Sequence, residues 1–245
     1  MRISVIGGTG RIGARVVPLL AADGHQVRSC SRSTGVDLLT GAGLAEALAD
    51  AEAVVDLTQS PTVDEAAARF FETATGNLLA AAGRAGVGHA VLLSIVGVDL
   101  VPGSDYYRAK VRQEELFRAG PVPYSVLRAT QFFEFVEEIM AWTTEGGTVR
   151  LPATPLQPVA ADDVARAVAE LATGAPLNGT LDLAGPQVLP LDELGRLALA
   201  ARGADRTVST DPTAGPFART PDGALLAGPG ARIAATRYRD WLATA

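Results

Sequence analysis

The sequence predicts an α/β protein with a doubly wound parallel sheet and a smaller C-terminal portion. Two observations predict it. Strand-like and helix-like segments alternate over the first two thirds of the 245 residues, the pattern of a parallel sheet with crossover helices. The chain also opens with Ile3, Val5 and Ile6, runs into Gly7, Gly8, Gly10 and Gly13, and continues with Ile12, Val16, Val17 and Leu20 at helical spacing. A buried strand therefore hands over to a helix through glycines.

That handover is the first candidate site. From Gly7 the spacing is GxxGxxG and from Gly8 it is GxGxxG, with Thr9, Arg11 and Ile12 between the glycines. A missing Cβ allows a tight turn, close approach of backbone to a pyrophosphate, and a helix lying against a sheet. The pyrophosphate would rest on unpaired N–H groups at the positive end of the helix dipole.

The elements follow in order: a helix over 11–22, a strand over 26–31, a short strand over 36–38, a short helix over 43–49 and a strand over 53–57. Asp64 caps a long alanine-rich helix reaching residue 85. Further strands are expected over 89–95, 124–129 and 180–183. Helices are expected from Ser104 or Asp105 onward, over 132–142 with its aromatic stripe, from Asp162 and Asp163 to 173, over 190–201 and over 231–242. Four prolines make 203–230 loop-like. The stripe of Phe132, Phe133, Phe135 and Trp142 is either core or the wall of an apolar pocket. A division at residue 150 is expected, with 1–150 as the nucleotide-binding core and 151–245 as an interleaved substrate-binding lid to which Phe217 contributes.

The end of the second strand bears on cofactor choice. A carboxylate there holds the ribose hydroxyls of NAD, and an arginine instead takes the 2′-phosphate of NADP. Here stand Ser31, Arg32 and Ser33, with Arg11 in the turn, so NADP(H) is expected ahead of NAD(H). Asp37, beside Leu38, either faces the adenine edge or simply forms a turn. Thr58, Gln59 and Ser60 follow another strand end and are placed to touch the cofactor.

Ser94 closes the strand HAVLLSI, and Tyr106 and Lys110 lie at i, i+4 on the next helix, so both project from one face. This set suits carbonyl reduction. A tyrosine needs a neighbouring cation that favours its phenolate to exchange protons near neutral pH, and Lys110 is the candidate. The same residues also fit a surface phenol beside a solvated lysine.

Composition excludes several classes. Hydrophobic residues are 48% and charged residues 20%, and apolar runs break well before the ~18 residues a membrane span needs. A net charge of −6 without a basic cluster argues against nucleic acid. One cysteine, Cys30, and two histidines give neither a disulfide nor a zinc site. With no leader expected, the chain reads as cytoplasmic.

The motifs GGTGRIG, SIVG, YYRAK, LRATQFFEF and PVAADDVA together resemble the short-chain dehydrogenase/reductase superfamily, most closely its atypical NmrA-like NAD(P)-binding branch. The resemblance covers most of the first 170 residues. It implies a catalytic set of Ser94, Tyr106 and Lys110, Lys110 also touching the cofactor, a C-terminal portion over the nicotinamide end, and a homodimer. The chain departs from typical members in its shorter glycine spacing, and Tyr107 offers a second phenol. The expected function is NADPH-dependent reduction of a carbonyl or conjugated double bond in a small, fairly apolar molecule. Alternatives are an NADP(H) sensor without turnover and an epimerase or dehydratase.

Overall fold

The computed structural model describes residues 1–244. Its elements are β1 (Arg2–Ile6), α1 (Gly13–Ala22), β2 (Gln26–Cys30), α2 (Leu44–Ala47), β3 (Ala53–Asp56), α3 (Ala66–Ala85), β4 (His89–Ile95), α4 (Asp105–Ala119) and β5 (Tyr124–Ala129). There follow α5 (Phe135–Trp142), β6 (Thr144–Glu145), β7 (Thr148–Leu151), β8 (Pro155–Leu156), α6 (Ala161–Thr173), β9 (Gly179–Ala184), β10 (Leu189–Pro190), α7 (Leu191–Ala201), β11 (Thr207–Thr210), β12 (Arg232–Ile233) and α8 (Tyr238–Leu242). A seven-stranded parallel sheet in the order β12-β9-β5-β4-β3-β1-β2 makes this a Rossmann-like α/β fold. From β1 the chain steps to β2 on one side and returns to β3 on the other, which makes the β1/β3 boundary a topological switch point. Ligands of open α/β sheets bind beyond the carboxyl ends of the strands at such a boundary.

Burial follows sheet position. Every residue of β3 is buried, as are four of the five in β1, whereas the edge strand β2 buries only Cys30 fully. Central strands of a parallel sheet are covered on both faces, so they read as continuous apolar runs.

Two compact units make up the chain: residues 1–128 with 164–181, and residues 129–163 with 182–245. In the first, Leu78, Leu79 and Ala82 of α3, Leu92 of β4 and Phe117 of α4 form one core with Ile6 and Val54. In the second, β11, β7 and β6 form a small sheet and β10 pairs with β8. Within this unit Tyr238 and Trp241 of α8 stack at 5.9 Å, and Phe133 packs 5.0 Å from Tyr238.

Three local expectations are corrected. Residues 36–38 form no strand: Val36 and Leu38 bury their side chains in the core, but Asp37 N–H donates to Ala42 O in a loop. Within 203–230 lies β11, which pairs in parallel with β7. The expected helix over 231–242 is divided, because Arg232 and Ile233 pair with Leu183 and Ala184 as β12 and only Tyr238–Leu242 is helical. Long-range pairing, which local periodicity does not report, decides each of the last two.

Candidate functional site

The glycine turn leaves β1 at the switch point. Gly7 has φ +76°, and a Cβ there would sit 2.9 Å from Leu57 O, just past β3. Gly7 and Gly8 N–H both donate to Cys30 O, tying the turn to β2 as well. Gly13 opens α1 so close to the turn that a Cβ would strike Gly7 O and Gly8 Cα. Gly10 differs: a Cβ would meet only Gly7 O, at 3.2 Å, and is otherwise in open space. Thr9, Gly10 and Arg11 are exposed while Ile12 and Gly13 are buried. The turn therefore presents an open backbone rim in front of the ten-residue α1, a cradle that fits a diphosphate.

Around this rim, Ser31 Oγ and Ser33 Oγ are 2.8 Å apart in a short 3-10 turn, and Arg32 between them is exposed. Asp37 Oδ1 accepts the N–H groups of Leu39 (2.8 Å) and Thr40 (3.4 Å), so this carboxylate shapes its own loop. Leu38 is a core residue. Thr58 donates both its N–H (3.0 Å) and its hydroxyl (2.7 Å) to Asp56 Oδ1, Ser60 Oγ accepts Thr62 N–H, and Gln59 is exposed.

The inner face of α4 carries two buried networks. Ser104 caps the helix by accepting Tyr107 N–H, and the turns that follow bury Ala109, Lys110, Gln113, Glu114 and Phe117. Lys110 Nζ donates to Leu93 O (2.8 Å) and to Gln113 Oε1 (2.5 Å). Gln113 Nε2 donates in turn to Asp56 Oδ2 (3.0 Å). The ammonium lies 5.0 Å from the Phe71 ring centroid, and Tyr106 packs edge-on against the same ring at 6.0 Å. One position along β4, Ser94 Oγ donates to Glu114 Oε1 (2.6 Å). Arg128 grips Glu114 in a fork, Nε to Oε1 at 2.9 Å and the second nitrogen to Oε2 at 2.8 Å, while Arg118 adds a bond of 2.6 Å.

These contacts set the electrostatics. Burial pushes Lys110 down to about 8, against the opposing pull of Asp56 and Glu114. The Tyr106 phenol is pushed up to about 12 by burial. Burial also opposes the charge on Glu114, but the Arg128 and Ser94 hydrogen bonds and the nearby guanidiniums outweigh it and hold the carboxyl below its usual range.

The expected trio is thus brought into one region in an unexpected arrangement. Ser94 donates its hydroxyl hydrogen bond to a buried carboxylate, Lys110 turns to the β4 backbone, and Phe71 carries both the ammonium and the Tyr106 ring. Asp56, Gln113, Glu114 and Arg128 were not singled out from sequence. A signal existed for two of them, since Gln113 and Glu114 lie at i+3 and i+4 from Lys110 and so share its helix face.

The chain matches the NAD(P)H-binding family over residues 7–174, well over half its length. It belongs to that family. This member is 29% identical over 210 residues to a (4-alkanoyl-5-oxo-2,5-dihydrofuran-3-yl)methyl phosphate reductase of Streptomyces griseus, covering 78% of this chain and 70% of the relative. Among solved structures it resembles MoeE5 in complex with UDP-glucuronic acid and NAD, with TM-score 0.75 and 21% identity, over 100% of this chain and 97% of the other. It also resembles the Citrobacter sp. triphenylmethane reductase complexed with NADP(H), with TM-score 0.66 and 22% identity, over 86% and 79% of the chains. At these identities the structural likeness shows the fold. Among the described residues of this NAD(P)H-binding protein, no helix is long and apolar enough to cross a membrane, and no group of His, Cys, Asp and Glu is placed to hold a metal.

Proposed function

We propose that this protein is an NADPH-dependent reductase of a carbonyl or conjugated double bond in a small, fairly apolar molecule. The observation that carries the reading is the open backbone at Gly10, flanked by Arg11 and the exposed Arg32, with the nearby Asp37 accepting loop N–H groups. Membership of the NAD(P)H-binding family and a reductase among its relatives support it.

When bound, the nicotinamide supplies the hydride. The chain's own residues bind and orient. Backbone N–H groups of the turn from Thr9 to Gly13, other than that of Gly10, which donates to Gly7 O (2.9 Å), hold the diphosphate, and Arg32, with Arg11 and the hydroxyls of Ser31 and Ser33, takes the 2′-phosphate. Thr58, Gln59 and Ser60 border the cofactor, and Asp37 and Leu38 shape the loop on its adenine side. Lys110 holds positive charge beneath Phe71. Tyr106, whose phenol keeps its proton at neutral pH, donates to the developing oxyanion. The Ser94 hydroxyl donates its hydrogen bond to Glu114, so in this reading it positions the end of β4 rather than donating to the substrate.

One observation favours a second reading, a nucleotide-binding sensor without turnover: Lys110 is only 4% exposed and is bonded to backbone and Gln113. The test is NADPH oxidation against ketones, quinones and enones, after NADPH binding has been measured by fluorescence. Turnover with any of these acceptors supports the reductase. Tight binding without oxidation selects the sensor, and failure to bind either dinucleotide overturns both.

A further inference from the structure

Of the 21 lysine and arginine residues in the chain, Lys110 is the sole lysine. Arginine keeps its charge in any protein setting, whereas a lysine is a compact ammonium that burial can bring to the point of losing its proton. This one is buried, and the groups that face it come from four elements. Leu93 O of β4 accepts from it, the Phe71 ring of α3 lies against it, α4 itself brings Gln113, Glu114 and Tyr106, and the charge of Asp56 reaches it from β3. Glu114 is held by Ser94, Arg118 and Arg128, and Glu72 of α3 pairs with the exposed Arg112.

The ammonium meets Asp56 through an amide. Lys110 Nζ donates to Gln113 Oε1 (2.5 Å), and Gln113 Nε2 donates to Asp56 Oδ2 (3.0 Å). The other carboxylate oxygen, Oδ1, accepts the N–H and hydroxyl of Thr58, so Asp56 is fixed at the end of β3. The two ends of the buried Gln113 amide are not interchangeable. An ammonium has only hydrogens to give and must meet the oxygen, whereas a carboxylate only accepts and must meet the nitrogen. A glutamine serves both partners in this place. An aliphatic side chain of the same length serves neither, and a glutamate serves the lysine alone.

We propose that Gln113 is a positioning residue for the reduction: held end to end between Lys110 and Asp56, its amide fixes the ammonium against Phe71 and joins it to the Asp56 charge. This rests on the reductase reading above and deepens it. Tyr106 packs on the same ring, and a positive charge there favours the phenolate that forms as Tyr106 gives its proton to the substrate oxygen. A lysine that has lost its own proton gives no such support. With burial pushing Lys110 down to about 8, one accepted hydrogen bond decides whether the side chain is charged at neutral pH.

The test follows the side-chain resonance of isotope-labelled lysine in the full chain. A single lysine gives a single signal, whose midpoint against pH is read without turnover. Gln113→Met fills the same space without an acceptor and should lower that midpoint by about one to two pH units. Gln113→Glu keeps an oxygen on the lysine and should leave the midpoint at or above the native one. An unmoved or raised midpoint in Gln113→Met overturns the proposal. So does a Gln113→Glu midpoint that falls as far, because lost packing rather than a lost acceptor is then the cause. Should Gln113→Met not fold, the native chain decides: the side-chain amide resonance of Gln113 should shift with the same midpoint as the lysine, and a flat amide signal overturns the proposal. Where NADPH oxidation is found with a ketone, quinone or enone, the alkaline decline of kcat/KM should move down with the lysine midpoint in Gln113→Met; a decline that stays in place overturns the positioning role. If the native chain turns nothing over, the reductase reading fails, and the lysine and amide resonances decide the place of Gln113 by themselves.

Discussion

Gly10 and Gly13 belong to one motif yet answer to different physics. A Cβ at Gly13 would strike backbone of Gly7 and Gly8, which cannot give way, so Gly13→Ala should destabilise the fold and abolish nucleotide binding together. At Gly10 a methyl group meets one carbonyl oxygen at 3.2 Å and otherwise open space. Gly10→Ala should therefore keep its urea midpoint and lose NADPH affinity, which paired denaturation and binding titrations will separate. Arg32→Ala removes an exposed guanidinium from the proposed phosphate site; a charge-assisted hydrogen bond of about 1.5–3 kcal/mol corresponds to roughly ten- to hundredfold weaker NADPH binding. NADH binding should hardly change, and an equal loss of both would refute the phosphate role. Glu114 is fully buried between Ser94, Arg128 and Arg118. Glu114→Ala takes from Arg128, 15% exposed, its two-point carboxylate partner and leaves it Asp99 at 3.4 Å, so a loss of about 3 kcal/mol is expected in urea denaturation. Because the Glu114 pKa is lowered in the fold, its contribution is present above the unfolded carboxylate value and fades as pH falls through the folded one.

Elements differ in how much of themselves they announce. The stretch HAVLLSI becomes β4 and YSVLRA becomes β5 at the expected bounds, since each is a continuous apolar or β-branched run in a covered sheet. The β6–β7 hairpin was passed over although its turn holds Gly146 and Gly147, both at positive φ, the two-glycine signal of such connections. At the opposite end of the parallel strands, His89 Nε2 lies 2.8 Å from Ser125 Oγ, which also accepts Leu177 N–H (3.0 Å). This contact ties the starts of β4 and β5 to the segment before β9. Burial lowers the His89 pKa from 6.5. The folded chain thus prefers the neutral ring. Its stability should be intact above the unfolded value and fall as pH drops from there through the folded value, by at most about 1.4 kcal/mol per pH unit. The difference in unfolding free energy between the native chain and His89→Gln, followed across that window, reads this directly; a flat difference would refute it.

For the whole molecule, the order β2-β1-β3 sets the glycine turn at a switch point, which is a property of connectivity rather than of any residue. A ligand that binds only the folded chain stabilises it by mass action, by about 2.7 kcal/mol when present at a hundred times its Kd. Thermal melts should therefore rise with NADPH, and by more than with equal NADH. Hydrogen exchange should show the added protection at the turn from Gly7 to Gly13 and around Ser31 to Thr34; protection confined to residues 182–245 would contradict the proposed cofactor site. The compact units also cut the chain differently from a division at 150, since 129–163 packs with the C-terminal residues and 164–181 with the N-terminal ones.

Local chemistry in the sequence determined the parallel α/β architecture, the glycine turn and the spacing of Tyr106 and Lys110, because periodicity and missing Cβ atoms act over a few residues. Tertiary structure alone decided that Ser94 answers to Glu114, that Lys110 turns to Leu93 O, that Arg232 and Ile233 finish the sheet, and that Gln113 reaches Asp56. Each of those outcomes depends on which distant segment reaches a buried polar group first, and hydrogen bonds across tens of residues leave no period in the chain that makes them.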